Sequence, residues 1–252
     1  MLRSLAEKFA KDLRYRRRMP LAFGRVPVWV SPAAGLKYLT REMADIDPVL
    51  LGLALEFVTR GSIVWDIGAN LGLFSFASAH LCGETGRVIA VEPDSTFAML
   101  LRRSASIQPA ASGEVTVVQA VIAGGLDLRT FCIAGRSRSA NFLRGYGSSQ
   151  AGGVVEEQLL VTVTLDWLAT RMPLPDVLKV DIEGAEEEVL LGGSALLAGK
   201  RPVVLCEVSS TASQAVTAIF HSHGYRIFDG QVAAQDRKEL SSAPWNTVAI
   251  PG

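Results

Sequence analysis

The 252-residue sequence is poor in the features that mark an exported or membrane-embedded chain. Its three cysteines, Cys82, Cys132 and Cys206, are scattered and form no C-x-x-C pair. That spacing argues against a disulfide framework or a thiolate metal site, and buried, reduced thiols are expected instead. No apolar run reaches the ~18 residues that a membrane span needs. The charged N-terminus lacks the apolar stretch of a signal peptide. Together these absences predict a cytoplasmic protein. Charge of one sign is also missing, with 25 basic residues against 25 acidic ones. A neutral total disfavours a surface that tracks nucleic-acid phosphates, so no nucleic-acid partner is expected.

Apolar side chains are abundant. Hydrophobic residues make up 49% and charged ones 20%, enough for a sizeable core, and the length suits one large α/β domain with an N-terminal addition. We divide the chain into a substrate-side extension over residues 1–60 and a catalytic domain over 61–252. Residues 1–18 carry Arg3, Lys8, Lys11, Arg14, Arg16, Arg17 and Arg18 against only Glu7 and Asp12. With Leu2, Leu5, Phe9 and Leu13 at helical spacing, residues 2–18 read as a basic amphipathic helix. Such a helix either packs on the domain or makes a peripheral contact with an anionic membrane. Residues 23–30 read as an edge strand, and Asp47-Pro48 opens a helix through about residue 59.

From residue 61 short apolar strands alternate with helices. Strands are expected over 63–67, 88–91, 115–121, 177–182, 203–208 and 225–228, and helices over 71–81, 95–106, 185–197 and 213–223. This rhythm predicts a mostly parallel sheet covered on both faces. Extra strands over 126–133 and 159–164 flank a long loop, 134–158, expected to act as a lid, a binding loop or a mobile insertion. Its Arg136, Arg138 and Arg144 suit an anionic or sugar-bearing substrate. A last strand over 246–250 is expected antiparallel at the sheet edge.

Three motifs carry chemistry. In Val64-Trp65-Asp66-Ile67-Gly68-Ala69-Asn70-Leu71-Gly72, a strand ends in an acid and two glycines precede a helix. Gly68 permits a sharp turn, and Gly72 permits close helix packing. The spacing is not the G-x-G-x-x-G of a dinucleotide site, which argues against a nicotinamide oxidoreductase. It suits a ligand without phosphates such as S-adenosylmethionine. The second motif, Val88-Ile89-Ala90-Val91-Glu92-Pro93-Asp94, ends a strand in an acid 26 residues after Asp66, placed to accept hydrogen bonds from ribose hydroxyls. The next strand ends at Gln119-Ala120, where adenine is expected by position alone. In the third, Leu178-Lys179-Val180-Asp181-Ile182-Glu183-Gly184-Ala185-Glu186, a strand delivers Asp181 and Glu183 to the same sheet end. A carboxylate ending a buried strand needs a partner. The acids of the following helix suit a helix N-terminus.

On these three segments, preceded by Thr164-Leu165-Asp166-Trp167-Leu168, residues 61–230 resemble the FkbM family of S-adenosylmethionine-dependent methyltransferases. The resemblance implies a Rossmann-like class I methyltransferase fold, with a mostly parallel seven-stranded sheet and helices on both faces. It implies O-methylation of hydroxyls on sugars, polyketides or other secondary metabolites. It gives cofactor roles to Asp66, Gly68, Asn70, Gly72 and Glu92, and active-site roles to Asp181 and Glu183. We count Ala69, Pro93, Gln119, Ala120 and Asp181 among the cofactor-binding candidates. The first 60 residues match no motif.

Methyl transfer to a hydroxyl requires alignment and is helped by a general base. The candidates are Asp181, Glu183, Glu207 and the histidines His80, His221 and His223. The histidines read better as packed or helix-terminal residues. Glu207 ends a strand expected beside that of Asp181, so three carboxylates converge on one edge. Either a divalent cation relieves their repulsion and binds the substrate hydroxyl, or one acid grips the cofactor amine and another caps a helix. The partner is then a small-molecule or glycan hydroxyl acceptor. The competing class is a non-catalytic S-adenosylmethionine-binding protein or membrane-surface adaptor, which would share the same motifs.

Overall fold

The computed structural model describes residues 13–135, 137–146 and 153–252. Its organising element is the alternation of side chains along short strands, which sends successive residues to opposite faces of a sheet. In β3 (Ile63–Ile67), Val64 joins one core while Trp65 and Ile67 join the other. In β4 (Arg87–Val91), Val88 and Ala90 face the first core, and Ile89 and Val91 the second. Both faces are therefore apolar, as a covered parallel sheet requires.

With β5 (Glu114–Val118), β10 (Val177–Val180), β11 (Val203–Glu207), β12 (Tyr225–Asp229) and β13 (Asn246–Pro251), these strands form a seven-stranded sheet of order β12-β13-β11-β10-β3-β4-β5. Only β13 runs against the rest, antiparallel to both β11 and β12. This is the Rossmann-like class I arrangement. One face packs α1 (Pro48–Phe57), α2 (Leu73–Cys82) and α3 (Ser95–Ala105). The other packs α4 (Leu165–Ala169), α5 (Glu186–Leu191), α6 (Ser194–Gly199) and α7 (Ser213–Ser222). Local capping fixes several helix starts. Asp47 accepts from the Leu50 amide with Pro48 in the first turn, Asp94 accepts from Thr96 and Phe97, and Thr164 accepts from Trp167.

A second sheet of order β6-β9-β7-β8 stands over the carboxyl ends of the first. It is built from β6 (Val121–Ile122), β7 (Asp127–Ala134), β8 (Phe142–Leu143) and β9 (Val154–Val163). A two-stranded hairpin, β1 (Tyr15–Arg18) with β2 (Pro27–Val30), packs on α3, where the Trp29 amide donates to Ser104 Oγ at 2.8 Å.

Several expectations are corrected here. Residues 15–18 form a strand, not the end of a helix, because Tyr15 and Arg17 turn inward together. The Tyr15 hydroxyl and the Arg17 guanidinium both donate to the Tyr38 carbonyl at 2.6 Å. Residues 2–12 of the expected helix lie outside the described residues. The expected strand over 23–30 begins only at Pro27, since residues 21–23 make a 3-10 turn. The 115–121 strand is split, β5 staying in the main sheet and β6 leaving it for the second. The 185–197 helix breaks at Gly192-Gly193. The 246–250 strand is antiparallel but sits between β11 and β12 rather than at the edge. Strand β9 begins at Val154 and β8 lies within the connection, so the expected 134–158 loop spans 135–153 and is interrupted by a short strand. Cys82, Cys132 and Cys206 are buried free thiols, and among the described residues no helix is long and apolar enough to cross a membrane.

Candidate active site

The carboxyl ends of β3, β4 and β10 open onto a cleft of about 720 Å³, its mouth included. Gly68 begins its floor at φ +76°, a left-handed conformation that glycine adopts without cost. The residue also lies so close to β10 that an added Cβ would stand 1.9 Å from the Asp181 carbonyl oxygen. Asn70 follows, also at positive φ (54°), and its amide donates to Glu92 Oε2 at 2.7 Å. The other Glu92 oxygen accepts from the Asp94 amide at 2.8 Å. Burial pushes the Glu92 carboxyl up to about 8, against these two N–H donors, which favour its ionised form.

Beneath the floor, Lys179 projects from β10 into the first core. Its ammonium meets Asp66 Oδ1 at 3.0 Å and Asp181 Oδ2 at 3.2 Å, and donates to the Gly68 carbonyl at 2.8 Å. Burial pulls the ammonium down, but the charges of Asp181 and Asp66 outweigh it and hold it above the ordinary lysine range. The second Asp66 oxygen accepts from Ser75 Oγ at 2.5 Å. Asp66 is thus an internal brace under the loop and not a wall of the cleft.

The roof comes from residues 138–143. Arg138 Nε and Asn141 Nδ2 both donate to Asp94 Oδ2, at 2.7 and 2.8 Å. Asn70 Nδ2 donates to Ser139 Oγ, which donates in turn to the Ala34 carbonyl, each at 2.7 Å. Phe131, Phe142 and Leu143 of the second sheet add apolar walls.

Of the cofactor candidates, Gly68, Asn70, Glu92, Pro93, Ala120 and Asp181 line this cleft. Ala69 and Gly72 shape the turn from behind: both Gly68 and Ala69 donate to the Val91 carbonyl, and a Cβ on Gly72 would strike Phe76 at 2.5 Å. Gln119 is not brought to the cleft; it is exposed and accepts from Arg102 at 3.4 Å. Of the catalytic candidates, Asp181 and Glu183 line the cleft, and Glu207 lines a smaller neighbouring one. Burial, followed by the charges of Asp181 and Glu186, raises the Glu183 carboxyl above its usual range. Among the described residues no group of three or more histidines, cysteines or carboxylates is placed to hold a metal ion. The three acids therefore do not form the cation cage considered from the sequence. His80, His221 and His223 line neither cleft; His223 instead meets Ser194 Oγ at 3.0 Å. Arg144 pairs with Glu157 away from the cleft, and Arg136 lies outside the described residues.

Sequence reasoning missed Lys179, Asp94 and Ser139. A charge within a buried parallel strand was the available signal for Lys179. The loop was expected as a lid or binding loop, but its contact with Asp94 depends on a fold-back across 44 or more positions.

The cleft fits a nucleoside cofactor. It offers a buried carboxylate with unused lone pairs, an apolar wall, and Asn70 Oδ1 as a buried acceptor with no partner. A glycine turn without a phosphate cradle, on a sheet of this topology, defines the S-adenosylmethionine-dependent methyltransferase class. The sequence matches the FkbM methyltransferase domain over residues 66–227, and the chain belongs to that family. No curated protein matches it. Among solved structures it is similar to the FkbM methyltransferase of Methylobacillus flagellatus KT, at 15% identity and TM-score 0.48, covering 98% of this chain and 58% of that one. It is similar to a precorrin-6y C5,15-methyltransferase from Geobacter metallireducens GS-15, at 16% identity and TM-score 0.46, covering 82% and 88% of the two chains. A third is an S-adenosylmethionine-dependent O-methyltransferase from Thermotoga maritima, at 12% identity and TM-score 0.45, covering 90% and 74%.

Proposed function

We propose that this methyltransferase acts on a hydroxyl of a small molecule or glycan, with Glu207 as the general base. The observation that carries the reading is the position of Asp181. Among the described residues, it alone lines both the cofactor cleft and the smaller cleft beside it. The smaller cleft has an apolar side, Leu50 and Leu53 of α1, and a polar side, Glu207, Asn246 and Thr247. Helix α1 belongs to the first 60 residues, which supports assigning that segment to the acceptor side.

S-adenosylmethionine, when bound, supplies a methyl group on a cationic sulfonium. Glu92, Gly68, Asn70 and Asp181 are the residues that would hold it. Asp181, fixed by Lys179, sits on the boundary between donor and acceptor. Burial and then the Asp181 charge raise the Glu207 carboxyl to about 7. A carboxylate poised near neutrality suits removal of the hydroxyl proton during attack.

A panel of hydroxylated acceptors with isotopically labelled S-adenosylmethionine tests the reading. Glu207→Gln is expected to lower turnover about 10²–10⁴-fold, with cofactor affinity by calorimetry unchanged. Full turnover in that variant removes Glu207 as the base. Label transfer only to nitrogen or carbon acceptors removes O-methylation.

A further inference from the structure

We propose that the tip of the β1–β2 hairpin docks on an anionic lipid surface. Leu21 is the carrying residue. It is 81% exposed, the highest of the exposed large hydrophobics among the described residues, at the turn between the two strands. This exposure is built into the fold. Met19, Phe23 and Val26 beside it are each only 2% exposed, and the Met19 amide donates to the Val26 carbonyl at 2.9 Å. Gly24 is pressed against His80, where a Cβ would stand 2.4 Å from the ring. The tip is thus clamped to the body and holds an apolar side chain out into solvent.

Cations line the arm behind that side chain. Arg14, Arg16 and Arg18 are exposed along the arm leading to the tip, and Arg25 is exposed at the tip itself. Arg18 Nη1 donates to the Arg25 carbonyl at 3.2 Å, which draws the two together. Arg103 stacks on Trp29 at 3.7 Å, with Arg16 on the same ring at 5.8 Å. Among the described residues, none of Arg14, Arg16, Arg18, Arg25 and Arg103 pairs with a carboxylate. Glu84 is the acid that shares the groove beside Gly24, along with Arg60.

An apolar residue at the tip of an arginine-lined arm matches the boundary between anionic headgroups and acyl chains, where each part finds its own partner. A nucleic acid would engage the arginines and leave Leu21 unsatisfied, so the lipid surface is favoured. The placement also makes sense. Helix α2 runs from the cofactor turn at Gly72 to Cys82, so His80 and the hairpin tip lie at the sheet end opposite the cofactor cleft. Docking there leaves the cleft mouth facing the aqueous side.

Flotation of the full chain with vesicles of phosphatidylglycerol in phosphatidylcholine, against phosphatidylcholine alone, reads the interaction directly. Partition is expected only with the anionic vesicles, and is expected to weaken in about 0.5 M salt. Leu21→Glu is expected to weaken it about tenfold, and Arg14→Glu and Arg18→Glu about fivefold each. Calorimetry with S-adenosylmethionine checks that each variant remains folded, and its affinity is expected to be unchanged. Equal partition onto both vesicle types, no partition onto either, or undiminished partition of Leu21→Glu overturns the proposal. So does salt-sensitive binding to RNA that survives Leu21→Glu while vesicles are ignored.

Discussion

Lys179 and Asp66 stand opposite one another in register on the neighbouring parallel strands β10 and β3, ammonium to carboxylate at 3.0 Å, both shut away from water. Breaking a buried pair by removing one partner leaves an uncompensated charge, which costs about 3–5 kcal/mol. Lys179→Met is therefore expected to destabilise the protein by that order in urea titration. Adding Asp66→Asn to it should recover part of the loss. A single variant as stable as the wild type would show that the pair does not brace the loop.

Gly68 supplies a second prediction. At φ +76° a side chain is strained, and a Cβ would overlap the Asp181 carbonyl oxygen at 1.9 Å. Since that carbonyl directly follows β10, and the Asp181 amide is tied to the Ile67 carbonyl of β3, the glycine turn is the part that must yield. Gly68→Ala is expected to lower S-adenosylmethionine affinity at least about tenfold while the fold survives, because the strain falls on the turn that meets the cofactor. Calorimetry and circular dichroism together check it.

Much of this site was legible in the sequence because strands in a parallel sheet deliver their last residues to one edge. Asp66, Glu92 and Asp181 lie at the carboxyl ends of β3, β4 and β10, which neighbour one another in the sheet, and their meeting follows from topology. Contacts made by fold-back were not legible. The roof, Arg138 and Asn141 on Asp94, joins residues 44 and 47 positions apart, and no local periodicity encodes it. The same reason explains the error at residues 15–18. Helical spacing and basic charge suggested a helix there, but pairing with Pro27–Val30 and burial of Tyr15 and Arg17 against Tyr38 override local propensity. Lys179 sits between these cases. Its charge inside β10 was visible, but its partners are evident only once β3 lies beside it.

Glu92 links cofactor binding to pH. Its carboxyl is raised to about 8 in the folded chain, from an ordinary value of 4.5. Between those values the folded state holds a proton that the unfolded state has released. Stability of the cofactor-free protein is then expected to fall as pH rises through that window and to level off above about 8, with Glu207, raised to about 7, acting in the same direction. Ribose hydroxyls donate to the ionised carboxylate, so binding at neutral pH should release close to one proton. Titrations at pH 7 in buffers of different ionisation enthalpy measure that number directly. A value near zero would mean that Glu92 stays protonated with the cofactor bound.

Asp94 divides its two oxygens between two tasks. Oδ1 caps α3 by accepting from the Thr96 and Phe97 amides, while Oδ2 holds the roof through Arg138 and Asn141. These tasks are separable by substitution. Serine caps a helix about as well as aspartate, but it is too short and uncharged to hold the arginine. Asp94→Ser is therefore expected to leave thermal stability nearly unchanged and to release the roof. Trypsin should then cut after Arg138 or Arg144 at least several-fold faster, and S-adenosylmethionine should dissociate faster in stopped-flow displacement. Asp94→Ala removes both roles and should cost about 1 kcal/mol more in stability for the lost cap. If Asp94→Ser resists trypsin like the wild type, the roof is held by Asn70, Ser139 and Ala34 instead, and Asn70→Ala becomes the variant that opens it.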